Sequence, residues 1–150
     1  MIKRKEVLAQ TKKIAKFIRK SVVLMTSSGG SSHVGSCLSI VDLVAVLYGH
    51  VLKIFPNDPE SSSRDIFILS KGHAGAAIYS VLSYVGFFSK DLLSSHYQDG
   101  SNFSGHVSHK GVAGVEFSTG SLGHGLPVAV GVALSFKINK KDNKSFVLMS

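Results

Sequence analysis

A chain of 150 residues that is 44% hydrophobic, with a mean hydropathy of +0.23, can bury one real core and is too apolar to stay disordered. The single cysteine, Cys37, excludes an internal disulfide, and no apolar run is long enough to span a bilayer, since the best stretch, Leu38 to Phe55, carries Asp42, His50 and Lys53. The net charge of +8 is concentrated in the first 20 residues, where Lys3, Arg4, Lys5, Lys12, Lys13, Lys16, Arg19 and Lys20 face only Glu6, so the rest of the chain is nearly neutral.

Val7, Ile14, Ile18, Val22 and Met25 recur at helical spacing within that basic segment and predict an amphipathic first helix ending near Ser27, its lysines on the wet face. A small-residue loop, "TSSGGSSHVGS", follows from Thr26 to Ser36. A second helix is predicted over Ser39 to Leu52, with "SIVD" as a capping-box-like start. "FPNDPESSSR" reads as a surface loop. Ile66 to Leu69 is a short continuous apolar run, as in a strand buried on both faces, and a helix from about Ala74 to Val85 comes after it. Residues 87 to 110 read as irregular, with one short helix near Ser89 to His96. A further helix covers about Leu126 to Asn139, and "SFVLMS" at 145–150 is a second buried strand. Strand, helix and strand in alternation give an α/β fold with a parallel sheet flanked by helices. Ligands in such sheets sit beyond the carboxyl ends of the strands, which makes "SKGHAG", just past the first strand, a candidate site.

Four of the seven histidines stand in the small-residue, glycine-bearing motifs "SSHVGS", "SKGHAG", "FSGHVSH" and "SLGHGL". Glycine allows close approach of backbone and ligand, free N–H groups ahead of a helix hold phosphate, and neutral imidazole hydrogen-bonds phosphate or hydroxyl and moves protons near neutral pH. Several histidines with few acids therefore suit a phosphorylated, hydroxyl-rich ligand. No histidine pair has the spacing of a helical zinc motif. Cys37 reads as a small core residue, and His50 and His96 as helix-surface or helix-end residues without a special role.

Taken together and in order, "SSHVGS", "ILSKGHAGAAIYSVL", "SGHVS" and "GVEFSTGSLGHGLPVAVGVAL" resemble the N-terminal part of transketolase, most closely the N-terminal subunit of split transketolases. The resemblance covers nearly the whole chain. It implies the thiamine diphosphate-binding fold and transfer of a two-carbon ketol unit between sugar phosphates, in cytoplasmic, pentose phosphate metabolism. By the same resemblance His33 contacts substrate and assists proton transfer, and His106 bonds a hydroxyl of the donor sugar. His73 lies at the cofactor diphosphate, and Gly120, Ser121 and Leu122 form the turn whose backbone lines the cofactor. The glycines after that turn are expected to let the following helix lie close to its neighbours. Val34 and Val107 stand where the family has prolines, Ser121 where many members have proline, and His124 where glutamine is usual; His109 has no family role.

The family's Gly-Asp-Gly motif and later asparagine, which hold Mg²⁺, do not occur here, and "SFVLMS" resembles the strand leading into them. The expectation is a partial N-terminal domain over residues 1–150, cut short at its C-terminus, with no metal ligands of its own. Such a chain needs a C-terminal subunit or domain, forms homo-oligomers in the complete enzyme, and is inactive alone. The alternative is a non-catalytic binding module or decayed fragment using the basic helix; nucleic acid and membrane are not expected partners.

Overall fold

The structure, a computed structural model, describes residues 4–150, so Lys3 lies outside the described residues. The basic segment forms helix α1, Arg4–Gly29, with Ile14, Ile18, Val22 and Met25 buried at the predicted spacing and Val7 half-buried. Lys5, Lys12, Lys13, Lys16, Arg19 and Lys20 are exposed along its other face. The helix runs to Gly29 rather than stopping near Ser27. Its end is a Schellman arrangement, with Gly30 left-handed at φ 62° and the Ser31 N–H reaching back to the Thr26 carbonyl at 3.1 Å.

The single helix expected over Ser39 to Leu52 is instead three pieces: α2 (Val34–Ser39), α3 (Val41–Val46) and a π-helical turn, Leu47–Val51. The capping box is not made. Ser39 is the last residue of α2, its hydroxyl donating to the Ser36 carbonyl at 2.8 Å, and Ile40 bends the chain between the two helices. The wide turn closes with the Leu52 N–H on the Leu47 carbonyl at 2.8 Å and puts His50 Nε2 3.0 Å from the Thr11 hydroxyl on α1.

Strand β1, Ile66–Leu69, lies where the sequence places it, and β2, Ser145–Leu148, pairs with it in parallel, Ile66 opposite Ser145 and Leu69 opposite Leu148. Phe67, Ile68 and Leu69 are buried, but of β2 only Leu148 is, so β2 is covered less than expected. The Asp65 carboxylate fixes the start of both strands, accepting from the Lys53 N–H at 2.9 Å and the Lys144 N–H at 2.7 Å. A 3₁₀ turn, Gly72–Ala74, leads into α4, Gly75–Val85, whose residues from Gly75 to Ser83 are all buried, making it the central helix of the core against α1 and α3. A second 3₁₀ turn, Lys90–Ser95, fills the predicted short helix. Helix α5, Gly125–Ile138, packs on β1 and β2 through Gly125 and Ala129. No helix among the described residues is long and apolar enough to cross a membrane.

Candidate functional site

Three loops converge beyond the carboxyl end of β1, and each brings one histidine. The imidazole centroids of His33 and His73 are 5.1 Å apart, those of His33 and His106 5.8 Å, and those of His73 and His106 6.4 Å. These residues are 40 and 33 positions apart in the chain, so only the fold assembles them.

Each histidine has a local reason for its place. His33 precedes α2 in the left-handed region at φ 71°, an uncommon conformation for a residue with a Cβ. Its side chain makes no capping bond to the helix and is exposed, which leaves the imidazole available to a ligand. His73 sits in the 3₁₀ turn after β1, with Cys37 buried behind it and its thiol 3.9 Å from the His73 carbonyl. Burial pushes that thiol up, so Cys37 is the core residue expected and no nucleophile. His106 is held by its backbone: the Tyr79 hydroxyl donates to the His106 carbonyl at 3.0 Å and accepts from the Ser108 N–H at 3.0 Å.

Two glycines of "SKGHAG" let the loops meet. A methyl group on Gly72 would overlap the Thr119 carbonyl, and one on Gly75 would lie 2.8 Å from the Val107 nitrogen. The Val107 N–H donates to the Gly72 carbonyl at 2.8 Å, joining the His73 and His106 loops directly. The Thr119 hydroxyl donates to the Leu69 carbonyl at 2.5 Å. The turn carrying Gly120, Ser121 and Leu122 therefore begins against the His73 loop, with all three residues exposed. Of the glycines after that turn, Gly125 does allow close helix packing, since a Cβ there would be 2.8 Å from Ile68 Cγ2. Gly131 faces open space and has no such role among the described residues.

At His73 the electrostatics favour the neutral imidazole. His73 is held below its ordinary 6.5, first by desolvation and then by His33, Lys71 and His106 around it. Lys71, buried between β1 and the turn, has Nζ 3.4 Å from the Ser39 hydroxyl. Among the described residues no group of three or more His, Cys, Asp or Glu could hold a metal ion. His109 and His124 stand apart from the cluster: His109 Nδ1 is 2.7 Å from the Ser118 hydroxyl, and His124 meets the Phe117 ring edge-on at 5.4 Å.

Sequence reasoning missed three residues of this neighbourhood. Lys71 and Tyr79 had a visible signal, a lone charge just after an apolar strand and a phenol inside a helix with no charged residue. His96, expected at a helix end without a role, is 2% exposed. The groove of about 640 Å³ between α1 and the Lys90–Ser95 turn, lined in part by Phe17, Leu24 and Leu93, does not involve the histidines.

Residues 10–147 match the family model described as transketolase, thiamine diphosphate binding domain. The chain is 42% identical over 138 residues to an apulose-4-phosphate transketolase subunit of Actinobacillus succinogenes, covering 91% of this chain and 50% of that protein. It is 36% identical over 135 residues to the 6-deoxy-6-sulfo-D-fructose transketolase subunit SqwG of a Clostridium species, covering 90% of this chain and 49% of that one. Among solved structures, transketolase from Campylobacter jejuni superposes with a TM-score of 0.80 at 34% identity, covering 90% of this chain and 21% of its own. The chain spans about half the length of the curated relatives it matches first.

Proposed function

The chain belongs to the transketolase family through its thiamine diphosphate-binding domain, and on that premise we propose that it is the N-terminal portion of a split-type transketolase transferring a ketol unit between sugar phosphates. The observation that carries this reading is the convergence of His33, His73 and His106, with imidazole centroids within 6.4 Å of one another, from loops that share no sequence proximity. The residues present fit the diphosphate end of the cofactor: a neutral-leaning imidazole at His73, the Lys71 ammonium on the same loop, and the exposed turn at Gly120, where a Cβ would meet nothing within 4 Å. When bound, thiamine diphosphate supplies the carbanion chemistry that no side chain here can supply.

The chain's own residues then have distinct tasks. His73 hydrogen-bonds the diphosphate, and the backbone of Gly120, Ser121 and Leu122 lines the cofactor. His33 and His106, both exposed at the open side of the cluster, meet the sugar, His33 moving a proton and His106 orienting a hydroxyl. In this reading the Mg²⁺ ligands come from further polypeptide of the complete enzyme. Further transketolase polypeptide would also cover the outward face of α5. There Leu126, Val130, Leu134 and Ile138 form an every-fourth-residue stripe that is 40%, 58%, 54% and 70% exposed, and Leu122 of the preceding turn is 63% exposed. The relatives' extra length is the natural occupant of that face, and self-association of the completed enzyme goes with it. The setting is cytoplasmic pentose phosphate metabolism.

The test is ketol transfer from a ketose phosphate to an aldose phosphate, with thiamine diphosphate and Mg²⁺. The chain is assayed alone and with the remaining polypeptide of a split relative. No turnover alone, turnover on complementation, and a loss of about 100-fold or more in His33→Ala are expected. Turnover by the chain alone, or full activity of the complemented His33→Ala enzyme, would overturn the proposal.

A further inference from the structure

His96 is the one fully buried histidine among the described residues, and the chemistry assigned above leaves it unused. Its Nδ1 lies 3.0 Å from the Phe103 carbonyl and its Nε2 3.3 Å from the Ser31 hydroxyl. A carbonyl only accepts, so Nδ1 carries the proton. The neutral ring then presents Nε2 as an acceptor, and the Ser31 hydroxyl must be the donor. Both nitrogens are thus engaged, and both bonds cross between segments.

The two segments are those that deliver the site. Ser31 stands two residues before His33, where α1 has just ended. Phe103 stands three residues before His106. Its carbonyl also accepts from the Tyr97 N–H at 2.9 Å, and its ring lies edge-on to Tyr79 at 5.3 Å. Its ring neighbours among the described residues are Tyr79 and Tyr97, each with centroids 6.1 Å away, and Gly29 abuts its carbonyl. An aromatic hydrocarbon would fill the same space and make neither bond.

We propose that His96 is a positioning residue, one buried imidazole that ties the loop bearing His33 to the loop bearing His106 and so sets the separation of the two. The proposal rests on the reading of those two histidines as site residues. A fixed separation matters because a displacement of about 1 Å among reacting groups can cost as much as about 100-fold in rate.

The test uses the full chain labelled with ¹³C at the histidine rings. Ser31→Ala removes one hydroxyl, Ser31→Thr retains it, and His96→Phe keeps shape without either bond. In Ser31→Ala the ring resonances of His33 and His106 are expected to shift or broaden. Those of His50, tied to Thr11 in the N-terminal half of α1, stay in place, and the melting temperature falls by no more than about 4 °C. Ser31→Thr returns the resonances to their wild-type positions, as a loss of general stability would not. In the complemented enzyme Ser31→Ala lowers kcat about 10- to 100-fold. Unmoved His33 and His106 resonances in Ser31→Ala overturn the proposal, and this variant decides the matter even where His96→Phe fails to fold. Moved resonances support it even where thiamine diphosphate leaves the wild-type histidines untouched, an outcome that counts against the transketolase reading alone.

Discussion

His73 is held neutral by where it sits. Desolvation is the first cause of its lowered pKa and the crowding of His33, Lys71 and His106 the second, all opposing an added proton. Lys71→Met deletes one of those positive neighbours. The His73 titration midpoint, followed by ring NMR, is expected to rise, and a midpoint that stays or falls contradicts the assignment. The same direction has a consequence for stability. His73 and His96 both have folded pKa values below the ordinary 6.5, so below that pH the unfolded chain binds more protons than the folded one. Their contribution is whole above 6.5 and declines as the pH falls through the folded values. The melting temperature should therefore be lower near about pH 5 than near about pH 7.5, and His96→Asn should flatten part of that drop. A steeper drop in the variant would contradict it.

At the scale of elements, the seam between β1 and α5 turns on one directed contact. The buried Ser70 hydroxyl accepts the Gly125 N–H at 3.0 Å and so serves one of the otherwise unpaired donors at the start of α5. Ser70→Ala leaves that donor buried and unpaired, and a urea titration should record a loss of about 1–3 kcal/mol. An unchanged midpoint would mean that α5 is not held there. The seam was half legible in advance. Both strands and the centre of every long helix follow from apolar runs and spacing, because those elements answer to local burial. The break at Ile40 and the π turn at Leu47–Val51 do not, because they come from fitting Tyr48, Gly49 and His50 against α1 and β1. His96 was illegible for a related reason. Its partners, Ser31 and Phe103, lie 65 and 7 residues away, and nothing in "SSHYQDG" announces either. The histidine motifs were legible as motifs, and the resemblance grouped His33, His73 and His106; neither spacing nor composition could give their convergence.

The whole molecule is a layered α/β unit whose core is closed on the α1, α3 and α4 side and bare on the outer face of α5. Its histidine cluster opens to solvent at the same end as the strands' carboxyl termini, where a parallel sheet places its ligands. On the proposed function this is the diphosphate half of a thiamine diphosphate site, one that binds weakly until further polypeptide brings the metal ligands and covers the bare face. The most direct measurement is a titration of the ¹³C-histidine-labelled chain with thiamine diphosphate and Mg²⁺, read at all seven histidine rings. His33, His73 and His106 are expected to move together, saturating only in the millimolar range, while His50 and His109 stay in place. Unmoved resonances in the cluster at saturating cofactor, or shifts confined to His50, His109 or His124, would contradict the diphosphate-site reading.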